Sequence, residues 1–90
     1  MKGPASIPTF RRGVRLRYDG ARSCWVLLAP EKLFLPDETG VEILKLIDGA
    51  RSTDAIVDDL AARFEVPRDV IARDVLATLA DLSARGAVAL

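Results

Sequence analysis

The 90 residues predict an α+β domain, three antiparallel strands followed by three helices. Three observations carry that prediction. Apolar residues recur with period 2 up to Pro36 and with period 3.6 after it. The change happens once, at a proline flanked by turn and cap residues. Half of the residues are apolar and 29% are charged, the balance of a compact globule, and the length leaves room for one core.

In the first strand Val14, Leu16 and Tyr18 fall on one side, with Arg15 and Arg17 on the other. Asp19-Gly20-Ala21-Arg22-Ser23 is a turn cluster. Cys24–Leu28 is apolar without a break, which marks a central strand, and Lys32–Leu35 forms a third strand after the Ala29-Pro30-Glu31 turn. Asp37 then caps the first helix, which carries Val41, Leu44 and Ile47 inward until Gly49 ends it as a C′ residue. Ser52 caps the second, whose core face holds Ile56, Leu60 and Phe64. Pro67 suits the first turn of the third, which buries Ile71, Val75, Leu79 and Leu82 until Gly86. Ala87–Leu90 either docks as a last short strand or frays. Residues 1–8 are expected to be flexible, and 9–90 to be one domain. The order resembles a winged helix-turn-helix.

Composition excludes much chemistry. The chain has no histidine and one cysteine, so His-based metal sites, Cys-x-x-Cys pairs and Ser-His-Asp or Cys-His nucleophiles are absent. No catalytic residues, metal or cofactor are expected. Cys24 reads as a half-buried structural residue. No apolar run approaches the length of a membrane span or a signal peptide core, so the expected location is the cytoplasm.

Formal net charge is zero, but it is unevenly spread: the first thirty residues carry six Lys and Arg against one carboxylate, the remainder seven against twelve. A DNA-reading winged helix would present Lys, Arg, Asn or Gln on its recognition helix. Here that helix sets Asp69, Asp74 and Asp81 against Arg68, Arg73 and Arg85, and the sequence contains no Asn or Gln. A small DNA-binding regulator is therefore the weaker alternative.

The third strand closes the meander, so its outer side is an edge of unpaired N–H and C=O groups guarded only by Lys32. A peptide adding as a further strand would satisfy those groups. On the third helix Ala72, Leu76, Ala80 and Ser83 share one flank, with Asp69 and Arg73 beside it, and they can either floor a groove or pack on another helix. The candidate peptide-binding set is therefore Lys32, Leu33, Phe34 and Leu35 with Asp69, Ala72, Arg73, Leu76, Ala80 and Ser83.

Several segments together resemble the PqqD family: Gly13-Val14-Arg15-Leu16-Arg17-Tyr18-Asp19, Trp25–Glu31, Ile43-Leu44 with Asp48-Gly49, and Arg51-Ser52-Thr53 with Ile56-Val57 and Leu60-Ala61. The likeness runs from about Pro8 to Val88. Ser52 and Asp37 stand where threonine and asparagine are common and cap equally well, while Ala55 lacks the Glu that would complete a capping box. The resemblance implies a peptide chaperone of pyrroloquinoline quinone biosynthesis. Such proteins bind the ribosomal precursor PqqA and present it to the radical-SAM enzyme PqqE, which cross-links a Glu to a Tyr. The fold is then that of recognition elements for modified ribosomal peptides, whose leader lies between the third strand and third helix. Another modified-peptide pathway is the nearest alternative. The enzyme surface is expected at Arg15 and Arg17. The open edge predicts a monomer in solution that pairs by its edges or swaps a segment in crystals.

Overall fold

The computed structural model describes residues 6–90. Its elements are β1 (Thr9–Phe10), β2 (Arg15–Asp19), β3 (Cys24–Ala29), β4 (Lys32–Phe34), α1 (Glu38–Lys45), α2 (Thr53–Phe64), α3 (Arg68–Ala84) and β5 (Val88–Ala89). β2, β3 and β4 form an antiparallel sheet in that order, with Leu16 opposite Leu27 and Leu27 opposite Phe34. This inner row packs on Ile43, Leu44, Ile56, Leu60, Val75 and Leu79 of the helices.

Local chemistry sets the boundaries. Asp19 Oδ1 accepts from the N–H groups of Ala21 and Arg22 and so turns β2 into β3. Asp37 caps α1, its Oδ1 accepting from the Gly40 N–H at 2.7 Å. A Cβ on Gly40 would stand 3.1 Å from that oxygen and 3.2 Å from Pro36 Cβ, so the cap fits glycine closely. Ser52 Oγ accepts from the Ala55 N–H at 3.1 Å and starts α2. At the end of α3, Gly86 takes φ +80° and donates to Ser83 O, while Ala87 N–H donates to Leu82 O. That pair of bonds is a Schellman closure.

The structure departs from the sequence reading in five places. β1 was unforeseen, because two residues carry no readable period; it pairs with β5 in the register Thr9–Ala89 and Phe10–Val88, so the C-terminal segment docks. Ser6–Pro8, expected to be flexible, is instead docked: Ser6 O accepts from the Thr53 N–H at 2.8 Å and Pro8 is buried. The rest of that expected tail lies outside the described residues. α1 ends at Lys45, not at Gly49, because Leu46 and Ile47 donate three residues back and tighten the last turn. Gly49 belongs to the following turn, held by Asp48 Oδ1. Pro67 is the N-cap of α3, not a residue of its first turn. Phe64 is 51% exposed although it falls on the apolar stripe, since α2 stops there and Glu65 turns left-handed at φ 52°.

Candidate functional site

β4 contributes the first part of the site. It pairs with β3 on one side, and no described strand lies on the other. The pair Ala29–Lys32 closes a two-residue loop, so it exchanges hydrogen bonds. Alternation along an antiparallel ladder then turns the N–H and C=O of Leu33 outward, to the open edge. Side chains alternate too. Phe34 packs against the core, whereas Leu33 and Leu35 are 42% and 61% exposed. Lys32 Nζ donates to Arg85 O at 3.5 Å, tying the start of β4 to the C-terminal end of α3.

Beyond β4 the chain turns away at Pro36, and a cleft of about 970 Å³ opens there. Tyr18 and Trp25 of the β2–β3 hairpin, Phe64 at the end of α2 and Val66 beyond it, and Val70 and Ile71 of α3 form its apolar walls. Tyr18 and Trp25 meet edge to face at 5.7 Å, and Lys45 Nζ lies 4.8 Å from the Trp25 ring centre. The half-buried thiol of Cys24 borders the same space.

Polar groups at the cleft are mostly paired with one another. Arg63 donates to Glu42 at 3.0 Å and to Asp59 at 2.9 Å, and Lys45 reaches Glu42 at 3.4 Å. The Arg63 hydrogen bond, helped by Lys45, holds the Glu42 carboxyl below its usual range, while Asp59 and Glu42 raise Arg63. Glu38 and Asp74 also line the cleft and form no ion pair among the described residues. No described group of His, Cys, Asp and Glu could hold a metal ion. No described helix is long and apolar enough to cross a membrane.

The six expected α3 residues are placed differently from their strand partners. Taking Val75 as the inward direction, Val70, Ile71 and Asp74 lie to one side and Ala72, Leu76, Ala80 and Ser83 to the other, at about 100° per residue. The cleft takes its α3 lining from the first group. On the second flank Ala72 packs against the core, Leu76 is 39% exposed, Ser83 is half-buried, and Asp69, Arg73 and Ala80 face solvent. None of the six lines the cleft. Arg15 and Arg17 are exposed on the outer face of the sheet. The sequence reading missed Tyr18, Phe64 and Val70 as cleft residues. Their one available signal was apolar character at positions that the core stripe leaves at its margin.

A three-stranded antiparallel sheet packed on three helices, with β4 as one of its two edges, is an arrangement also found among solved structures. The solution structure of the PqqD truncation of Methylobacterium extorquens PqqCD superposes with a TM-score of 0.83 at 35% identity, covering 98% of this chain and 94% of that one. It is described as a stand-alone RiPP recognition element. The crystal structure of PqqD from Xanthomonas campestris is also similar, with a TM-score of 0.59 at 35% identity, covering 94% of each chain.

Sequence comparison makes the family explicit. A profile described as "Coenzyme PQQ synthesis protein D (PqqD)" matches residues 24–88, and the chain belongs to that family. A PqqA binding protein of Rhodopseudomonas palustris (strain TIE-1) is 51% identical over 81 residues, covering 90% of this chain and 79% of the relative.

Proposed function

We propose that this protein binds a PqqA-type precursor peptide and presents it to the radical-SAM enzyme PqqE, without being a catalyst itself. The observation that carries the reading is the free edge of β4, where Leu33 offers an N–H and a C=O to a further strand. The name of the Rhodopseudomonas relative and the recognition-element structure support the same ligand class. The peptide pairs with Lys32–Leu35. On α3 the reading moves from Leu76 to the flank of Val70 and Asp74, because that flank lines the cleft to which Pro36, just beyond β4, also contributes. The domain acts in the cytoplasm as a monomer, and the same edge lets copies pair by edges or swap at crystal concentrations.

Calorimetric titration with a synthetic PqqA peptide, and with a random DNA duplex as control, tests this. Binding of the peptide and not of the duplex is expected. A salt-dependent association with the duplex and none with the peptide would establish the regulator reading instead.

A further inference from the structure

The sheet has a second face, turned away from the helices, of which the peptide reading uses only the backbone of its β4 margin. Its rows run across all three strands: Arg15 stands opposite Leu28, and Leu28 opposite Leu33. In the next row Arg17 stands opposite Val26, with Leu35 continuing the line of β4. Val26 is 1% exposed, yet it is outside the cluster between sheet and helices. This face therefore has an apolar centre of its own, bordered by two exposed leucines on one side and two arginines on the other.

The arginines are unlike most others in the chain. Arg22, Arg51, Arg63, Arg68 and Arg85 each have a carboxylate within ion-pair distance. Arg11 and Arg12, which lead into β2, Arg15 and Arg17 on it, and Arg73 of α3 have none among the described residues. Arg15 and Arg17, two guanidinium groups without counter-charge among the described residues and beside exposed aliphatic side chains, match a protein surface that offers carboxylates around apolar residues. Phosphate backbones and lipid headgroups would meet the arginines but leave Leu28, Leu33 and Leu35 without a partner.

We propose that the outer sheet face, with Arg15, Arg17, Leu28, Leu33 and Leu35 at its centre, docks an acidic protein surface on the enzyme that receives the peptide. The inference rests on the chaperone reading above and names the surface by which presentation occurs. Because the β4 edge takes the peptide by its backbone and the outer face takes the enzyme by side chains, both can be occupied at once.

The test uses the full chain loaded with peptide, purified PqqE as the probe, and fluorescence anisotropy at low and high salt. Charge reversal in the double variant Arg15→Glu, Arg17→Glu should weaken enzyme binding by about tenfold or more at low salt, with the difference shrinking as salt screens it. Peptide affinity should stay within about twofold, because neither residue touches the β4 edge. The milder Arg15→Ala, Arg17→Ala variant, checked by circular dichroism, should fall between the two. Unchanged enzyme affinity in both variants overturns the proposal while leaving peptide binding in place. So does binding of anionic vesicles or duplex DNA, and not of PqqE, through these arginines. If the unaltered chain fails to bind the peptide at all, the chaperone reading falls instead.

Discussion

The helical half of the molecule and its sheet half treat the same residue types in opposite ways. Among the helices Arg68 joins Asp54 and Asp58, Arg63 joins Asp59 and Glu42, and Arg85 joins Asp81. Two of the three helices begin on a side-chain cap, and α3 ends in a hydrogen-bonded closure. On the sheet, among the described residues, Arg15 and Arg17 have no carboxylate partner, Leu33 and Leu35 stand in solvent, and β4 keeps one side unpaired. The helical half pairs most of its arginines within itself, and among the described residues only Arg73 there lacks a carboxylate. The sheet half leaves groups of the kinds that partners satisfy, a strand edge and unpaired charge. In a domain this small, the core supplies stability and the unsatisfied margin supplies recognition.

That contrast can be broken first at the core. Leu27 is fully buried at the centre of β3, where sheet and helices meet. Leu27→Ala should cost about 2–5 kcal/mol in urea unfolding, against under about 0.5 kcal/mol for Arg15→Ala on the opposite face. Comparable losses would mean that the arginines serve the fold after all.

Next comes the edge. Leu33→Pro removes an N–H that points away from the β3 ladder, so the helices should stay folded while peptide affinity drops by about tenfold or more. Calorimetry reads the affinity and far-ultraviolet circular dichroism the helices. Undiminished affinity in a folded variant would rule out strand addition at β4.

A matched pair sharpens the assignment on α3. Val70 and Leu76 are similarly exposed apolar residues of one helix, projecting about 120° apart. Val70→Asp should weaken the peptide by about tenfold and Leu76→Asp by less than about twofold. The reverse order would return the groove to the Ala72–Ser83 flank.

The smallest effect is electrostatic. Glu42 is held below the usual carboxylate range in the folded state, chiefly by Arg63, so its share of stability is present above its unfolded value and is lost as pH falls through the folded one. Glu42→Gln should therefore cost under about 1 kcal/mol at pH 7, and the difference from the parent chain should fade in acid as pH falls below the ordinary glutamate range and through the depressed folded value.

Much of this was legible in the sequence. The period change at Pro36, the caps Asp37 and Ser52, and the closing Gly86 all reflect local chemistry, and the structure has them where the residues indicate. What stayed hidden was nonlocal. The β1–β5 pairing joins two dipeptides nearly the whole chain apart, and no short window contains it. The cleft draws on residues from five elements. Which flank of α3 lines the cleft depends on which side α2 occupies, and helical periodicity gives both flanks equal standing. The free edge of β4 could be read because the edges of a sheet follow from strand order alone.

The most direct test is a titration of the isotopically labelled protein with synthetic PqqA peptide, followed through its backbone amide resonances. Strand addition predicts the largest shifts at Lys32–Leu35, with a second set around Val70–Asp74 and Arg15 and Arg17 undisturbed. Shifts confined to the outer sheet face or to the Ala72–Ser83 flank, with β4 silent, would contradict the account.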